Sequence, residues 1–368
     1  MKILILSAAN NVHTMRWANA MSERGHNVTV VSCRDHKPDS KVQYDSDVKI
    51  LLLKFSSGLG YYLNARELKK IAKKQRFDVI NVHYASGYGT LGRTANLKNA
   101  LLNIWGSDVY VYPYKKKFNE KIIKKNLLFY NYVASTSRCM AEQARKFVDR
   151  KYYITPFGVD VLLFKPINGL KDPDKFTIGT VKTLSPIYGI SDSIKAFDLV
   201  IKRLKAEGEI ERVNRLRYEI YGRGEQQPEL QQLINDLDLS DKVKLCGYVE
   251  NNKLPEIYNR FDLFVCNSLS ESFGVAAVEA MACGVPVVTS DADGFKEVVA
   301  DGITGLIVPI GDLTAISDCV YKLIKNEPLR CEMGAAGVER VKTLYSWKDN
   351  VDVMENLYRR VDSGDYWK

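Results

Sequence analysis

Short aliphatic and β-branched runs alternate with longer stretches of helical period along most of the 368-residue chain, and this alternation restricts the fold more than any other feature. Residues 3–6 read as a strand, 14–24 as a helix and 28–31 as a strand, the βαβ pattern of a parallel sheet. Met15, Ala18 and Met21 share one face of that helix, and Gly25 stops it. The cycle continues with strands at 79–82, 101–104, 132–135 and 152–155. It breaks at Thr155-Pro156-Phe157-Gly158-Val159-Asp160, and Pro166, Asn168-Gly169 and Asp172-Pro173 prolong the break with turn chemistry. A new cycle then places strands at 176–181, 218–221, 243–246, 263–266 and 285–289.

The pattern predicts an α/β protein of two Rossmann-like parallel-sheet domains, residues 1–165 and 166–345. Residues 346–368 end in a helical stretch with Val351, Met354, Leu357 and Tyr358 on one side, expected to cross back to the first domain.

Hydrophobic residues at 46% and charged residues at 26% give the balance of a soluble globular protein, and no run approaches the roughly 20 apolar residues that span a bilayer. The apolar run at 3–6 is too short for a secretory signal, and the seven cysteines are scattered without close pairing. The expected compartment is reducing and cytoplasmic. Charge is uneven: residues 1–165 carry +16 and the remainder −7. Lysines concentrate at Lys69, Lys70, Lys73 and Lys74 and again from Lys115 to Lys125, which suits either an acidic partner or solvated helix faces. Lysines and aromatic residues there form no nucleic-acid-binding motif, so no nucleic-acid partner is expected.

Ser270-Glu271-Ser272-Phe273-Gly274-Val275-Ala276-Ala277-Val278-Glu279-Ala280-Met281-Ala282-Cys283-Gly284-Val285-Pro286 carries the most chemistry. Ser270 and Ser272 are capping residues, Ala276 to Cys283 is a strong helix-forming run, and Gly284 and Pro286 stop it. Glu279 lies inside this helix with Val275, Ala276, Ala282 and Cys283 three and four residues away, so its own helix offers it no polar companion. A buried carboxylate in that position needs hydroxyls, a cation or a proton. Vicinal sugar hydroxyls satisfy it, and so does a structural ion pair from another element. Glu271 follows a strand and a short loop, where open parallel sheets place ligands, while Gly274 and the helix amino end favour close approach of a diphosphate.

Two glutamates separated by seven residues, with this glycine and helix between them, resemble the retaining glycosyltransferases of family 4, also called glycosyltransferase group 1. Further similarity lies in Gly222-Arg223-Gly224-Glu225, Leu245-Cys246-Gly247-Tyr248-Val249, Asp293-Gly294-Phe295-Lys296-Glu297, Asp301-Gly302-Ile303-Thr304-Gly305 and Pro156-Phe157-Gly158-Val159-Asp160. The resemblance implies the GT-B fold, two Rossmann-like domains facing a central cleft, with acceptor bound by the first and nucleotide-sugar by the second. It implies that Glu271 contacts the donor sugar, that Phe273, Gly274 and Val275 lie along the donor with backbone amides of Gly274 and Val275 offered to it, that Glu279 holds the ribose and that Tyr248 lies by the base. No cofactor or metal is implied, which agrees with four widely separated histidines.

Departures from the family pattern fall on the cations. Tyr188 stands at the usual lysine place and Thr183 at the usual arginine place, so Lys182, at the end of a strand, is taken as the phosphate-binding cation, with a plain solvated lysine as the alternative. Arg223 is the candidate for a second positive charge. In the first half, Ala8-Ala9-Asn10-Asn11-Val12-His13 replaces the glycine pair of many relatives, and Trp105 stands where relatives often carry a histidine. Asn10, Asn11, His13, Trp105 and Asp108 are candidate acceptor contacts, against cap, surface or turn roles for His13 and Asp108.

The expected activity is metal-independent hexosyl transfer with retention, from a UDP- or GDP-linked donor to a lipid-linked or polysaccharide precursor in capsule, lipopolysaccharide or other cell-surface glycan synthesis. The enzyme would work in the cytoplasm, peripherally on an anionic inner membrane face. Epimerisation or phosphorolysis on the same fold, and a non-catalytic nucleotide-sugar-binding protein, stay open. A dinucleotide-dependent oxidoreductase does not, because no glycine at all occurs between Ser7 and Thr14.

Overall fold

In the computed structural model, which describes residues 1–40 and 42–365, the chain divides into two compact units. One comprises Met1–Phe157 together with the chain from Lys348 onward, the other Gly158–Trp347. The division falls at Phe157 and Gly158, inside the Pro-Gly break, rather than at residue 165.

The first unit holds seven parallel strands: β1 (Lys2–Leu6), β2 (Asn27–Ser32), β3 (Lys49–Leu52), β4 (Val79–His83), β5 (Leu101–Ile104), β6 (Tyr132–Ser135) and β7 (Tyr153–Ile154). Their order is β3-β2-β1-β4-β5-β6-β7. The second holds six, β8 (Phe176–Val181), β9 (Leu216–Tyr221), β10 (Val243–Gly247), β11 (Leu263–Cys266), β12 (Val287–Ser290) and β13 (Gly305–Val308), ordered β10-β9-β8-β11-β12-β13. Each is a doubly wound sheet whose strand order reverses once, between β1 and β4 in the first and between β8 and β11 in the second.

Central strands are buried on both faces, and Ile3, Leu4, Ile5 and Leu6 are wholly inaccessible, which is why they read as continuous aliphatic runs rather than alternating ones. β3, an edge strand exposed at both ends, and β13, only four residues long, were not anticipated because neither stands out from its surroundings in the sequence.

The last helix, Trp347–Asp362, buries Val351, Met354, Leu357, Tyr358 and Val361. From Lys348 onward it belongs to the first unit, where Asn81 of β4 donates to the Tyr358 hydroxyl at 2.5 Å. Glu355 accepts from Arg24 at 2.6 Å and pairs with the His26 ring at 3.1 Å, tying the helix to the turn before β2. The arginine hydrogen bond leads in holding the Glu355 carboxyl down at about 2, with Arg359 and His26 adding to it against the opposing effect of burial. Residues 366–368 of the expected terminal segment lie outside the described residues.

Candidate functional site

Open parallel sheets bind ligands outside the carboxyl ends of their strands, at the point where strand order reverses. In the second unit that point lies between β8 and β11, and Lys182 and Glu271 follow those two strands. Arg223 follows β9, and Tyr248 follows β10.

Lys182 Nζ donates to Glu271 Oε2 at 2.5 Å, with the two side chains only 15% and 12% exposed. Burial is the largest single influence and works to lower the Lys182 pKa, but the Glu271 charge and hydrogen bond, with Cys266 and Tyr188 adding to them, together outweigh it and hold the ammonium above the ordinary lysine value. The alternative of a solvated lysine therefore does not describe this side chain. Nζ also lies 4.6 Å from the centre of the Tyr188 ring, a cation–π contact that sequence reasoning did not assign. The main chain fixes both loops. Lys182 N–H donates to Tyr221 O at 2.9 Å, and a Cβ on Gly222 (φ +148°) would fall 1.8 Å from Lys182 O, so only glycine permits the approach. Leu269 N–H donates to Ile187 O at 2.8 Å, and Gly294 N–H to Glu271 O at 2.8 Å.

Downstream of Glu271, Gly274 adopts φ +93° and opens the helix Val275–Ala282. A Cβ there would approach the Phe295 ring to 2.9 Å. Glu279 is 8% exposed, and Tyr258, from the helix Leu254–Tyr258, donates its hydroxyl to Glu279 Oε2 at 2.9 Å. The companion missing from its own helix thus comes from another element. Burial first, and then the Glu279 charge, push the Tyr258 phenol well above its usual range. Arg223 and Tyr248 are exposed neighbours, with the guanidinium 5.3 Å from the ring centre. Phe273 differs from the expectation: its ring is 2% exposed and packs edge-on against Tyr345, leaving only main chain to meet a ligand.

The first unit gathers a second group at its own reversal point. Trp105, after β5, packs against His83 at 4.1 Å, Tyr84 at 5.1 Å and, edge-on, Phe157 at 5.4 Å between ring centres. His13 stacks on Phe157 at 4.1 Å. Burial, with Arg16 nearby, lowers the His13 pKa to about 4, and burial followed by His13 lowers His83 to about 3, so both rings are neutral at physiological pH. His83 is fully buried, and neither ring nitrogen has a hydrogen-bond partner among the described residues.

Two candidates have structural occupations. Asp108 accepts from the backbone N–H groups of Ala85 (2.8 Å), Gly106 (2.8 Å) and Trp105 (3.1 Å) and is 1% exposed, so it builds the turn rather than reaching an acceptor. Asn11 caps the helix Val12–Glu23 by accepting from His13 N–H and Thr14 N–H. Asn10 is half-buried in the same loop. Among the described residues, no three His, Cys, Asp or Glu side chains come together as a metal-ligand set.

Two Rossmann-like parallel-sheet units, the second with a lysine–glutamate pair at its reversal point and a buried glutamate in the helix that follows Glu271, have the fold of the GT-B class of glycosyltransferases. The model of glycosyl transferases group 1 matches residues 164–340, and that of the glycosyl transferase 4-like domain matches residues 2–137. The chain belongs to this family, whose members transfer a sugar from a nucleotide-sugar donor. It is 24% identical to N-acetyl-alpha-D-glucosaminyl L-malate synthase of Bacillus anthracis over 312 residues, covering 80% of this chain and 77% of that one. In fold it is similar to sucrose-phosphate synthase from Thermosynechococcus elongatus (TM-score 0.84, 18% identity, 99% of this chain and 100% of that one). Anabaena HepE in complex with UDP-glucose is a further neighbour (TM-score 0.76, 19% identity, 98% and 100%).

Proposed function

We propose that this chain transfers a hexosyl group, with retention and without a metal, from a UDP- or GDP-linked donor to a lipid-linked or polysaccharide precursor of a cell-surface glycan. The Lys182–Glu271 pair carries the reading: a cation and a carboxylate held at 2.5 Å at the reversal point of a parallel sheet suit a diphosphate beside a sugar. The UDP-glucose bound by the HepE neighbour favours a uridine donor.

In this reading Glu279 holds the ribose hydroxyls, and the amides of Gly274 and Val275 face the donor. Arg223 and Tyr248 border the base and diphosphate. Lys182, leaving Glu271 for the diphosphate, stabilises the charge that develops as the bond from the anomeric carbon to the phosphate oxygen breaks. The acceptor oxygen bonds to the same carbon from the same face, and its proton passes to the departing phosphate oxygen. Glu271 orients the sugar. In the first unit, His13, Asn10 and the Trp105 cluster border the acceptor.

Incubating the full chain with nucleotide-sugars and candidate acceptors tests this, following nucleoside diphosphate release and the anomeric configuration of the product by NMR. Retention with chelator present is expected. Epimer formation without release would transfer the assignment to an epimerase, and binding without turnover to a nucleotide-sugar-binding protein.

A further inference from the structure

The first unit exposes large apolar side chains in two places that leave the same edge of its sheet. After β3, Leu59 is 76% exposed, Leu63 55% and Tyr62 45%. After β5, Phe118 is 66% exposed and Tyr114 63%. Both excursions start from carboxyl ends of strands, the edge that also carries His13 after β1 and His83 at the end of β4. Tyr61 of the first excursion and Tyr112 of the second pack against the same hydrophobic core, which brings the two excursions together. The packing beneath is firm: Tyr61 fills the space over Gly87 at the start of the helix Gly87–Thr94, and Asn126 donates to Ala85 O and Ser86 O just before it.

Charge follows the same outline. Residues 59–76 hold six lysines and arginines against one glutamate, and residues 111–125 hold six lysines against one glutamate. Of these cations only Lys124 has an ion pair among the described residues, with Glu120 at 2.7 Å. On the helix Lys117–Phe129, the buried Ile122, Ile123 and Leu127 face the core, while Phe118, Lys121, Lys125 and Leu128 recur at helical spacing on the exposed side. Phe118 and Leu128, 66% and 69% exposed, thus stand between the lysines of that face. Apolar side chains among cations match an interface in which acyl chains lie beneath anionic headgroups.

We propose that Leu59, Tyr62, Leu63, Tyr114 and Phe118, with the flanking lysines, form a docking surface for an anionic lipid bilayer. The proposal deepens the lipid-linked acceptor reading and rests on it, because the surface rises from the edge of the sheet assigned to the acceptor. Docking there presents a headgroup-level acceptor to the first unit while the aqueous side supplies the donor.

Flotation of the full chain with phosphatidylglycerol–phosphatidylcholine vesicles, against phosphatidylcholine alone, tests it at low and high salt. Salt-sensitive binding to the anionic vesicles is expected. Replacing Lys115, Lys116 and Lys117 together by glutamine lowers that binding on the order of 100-fold. Leu59→Glu with Phe118→Glu, both at exposed positions, lowers it at least about tenfold at low salt while donor hydrolysis in solution is unchanged. Wild-type binding by this apolar double variant, or equal binding to neutral vesicles, would overturn the docking surface. Donor turnover in solution is read separately: its loss in the unmodified chain would remove the transferase reading without touching the vesicle result.

Discussion

Lys182 and Glu271, 89 residues apart in the chain, meet at 2.5 Å where the second sheet reverses its strand order. Each neutralises the other in a poorly hydrated setting. The Tyr188 ring centre lies 4.6 Å from the same ammonium, a contact that favours the cation without adding charge.

Glu271→Gln should lower kcat by about 100-fold or more while changing nucleoside diphosphate affinity less than about tenfold. Isothermal calorimetry beside steady-state kinetics checks this. Lys182→Met should weaken diphosphate binding as well as turnover, and a double-mutant cycle with Glu271→Gln should give a coupling well above about 0.5 kcal/mol. Additive effects would mean that the two side chains act independently.

Glu279→Ala should weaken nucleotide binding by at least about tenfold, the loss of one charge-assisted hydrogen bond. Tyr258→Phe removes only the hydroxyl that faces Glu279, so calorimetry should find a smaller loss, in the same direction. If Glu279→Ala changed turnover but not affinity, the roles of the two glutamates would have to be exchanged.

Gly274→Ala should destabilise the second unit by about 1–3 kcal/mol, since the residue sits at φ +93° with the Phe295 ring 2.9 Å from a new Cβ. Chemical denaturation measures the loss, and a wild-type midpoint would show that the turn relaxes freely.

Acid should loosen the first unit in two steps. Burial, with the nearby amino-terminal charge, depresses the His26 pKa in the folded protein. Its stability contribution is therefore full above the unfolded histidine value of about 6.5 and lost as pH falls through the lower, folded value. Glu355, held at about 2, contributes fully above about 4.3 and loses that contribution as pH falls towards 2. Glu355→Gln should cost about 2 kcal/mol at pH 7 and flatten the acid limb of a plot of melting temperature against pH. An unchanged limb would place the acid sensitivity elsewhere.

Trp105→Ala should destabilise the first unit by about 3–5 kcal/mol, because the indole fills the space between His83, Tyr84 and Phe157. Trp105→Phe should recover most of that, as read by thermal unfolding.

Buried parallel strands must be apolar on both faces, so most of the strands, the two successive α/β units and the break near Gly158 were written in local residue pattern, whereas β3 and β13 were not. The Glu271 and Glu279 motif was legible for a related reason, since a carboxylate in an apolar helix is a local contradiction visible without coordinates. Edge strand β3 lacked such a signal. What the sequence could not decide was which side chains meet across the sheet. That Lys182 rather than Arg223 faces Glu271, that Tyr258 answers Glu279, and that Asp108 is spent on three backbone amides all depend on loops from different strands. Those loops converge only when the sheet assembles. Periodicity specifies the strands that carry them, while contacts between residues tens of positions apart are set by the register and twist of the finished sheet.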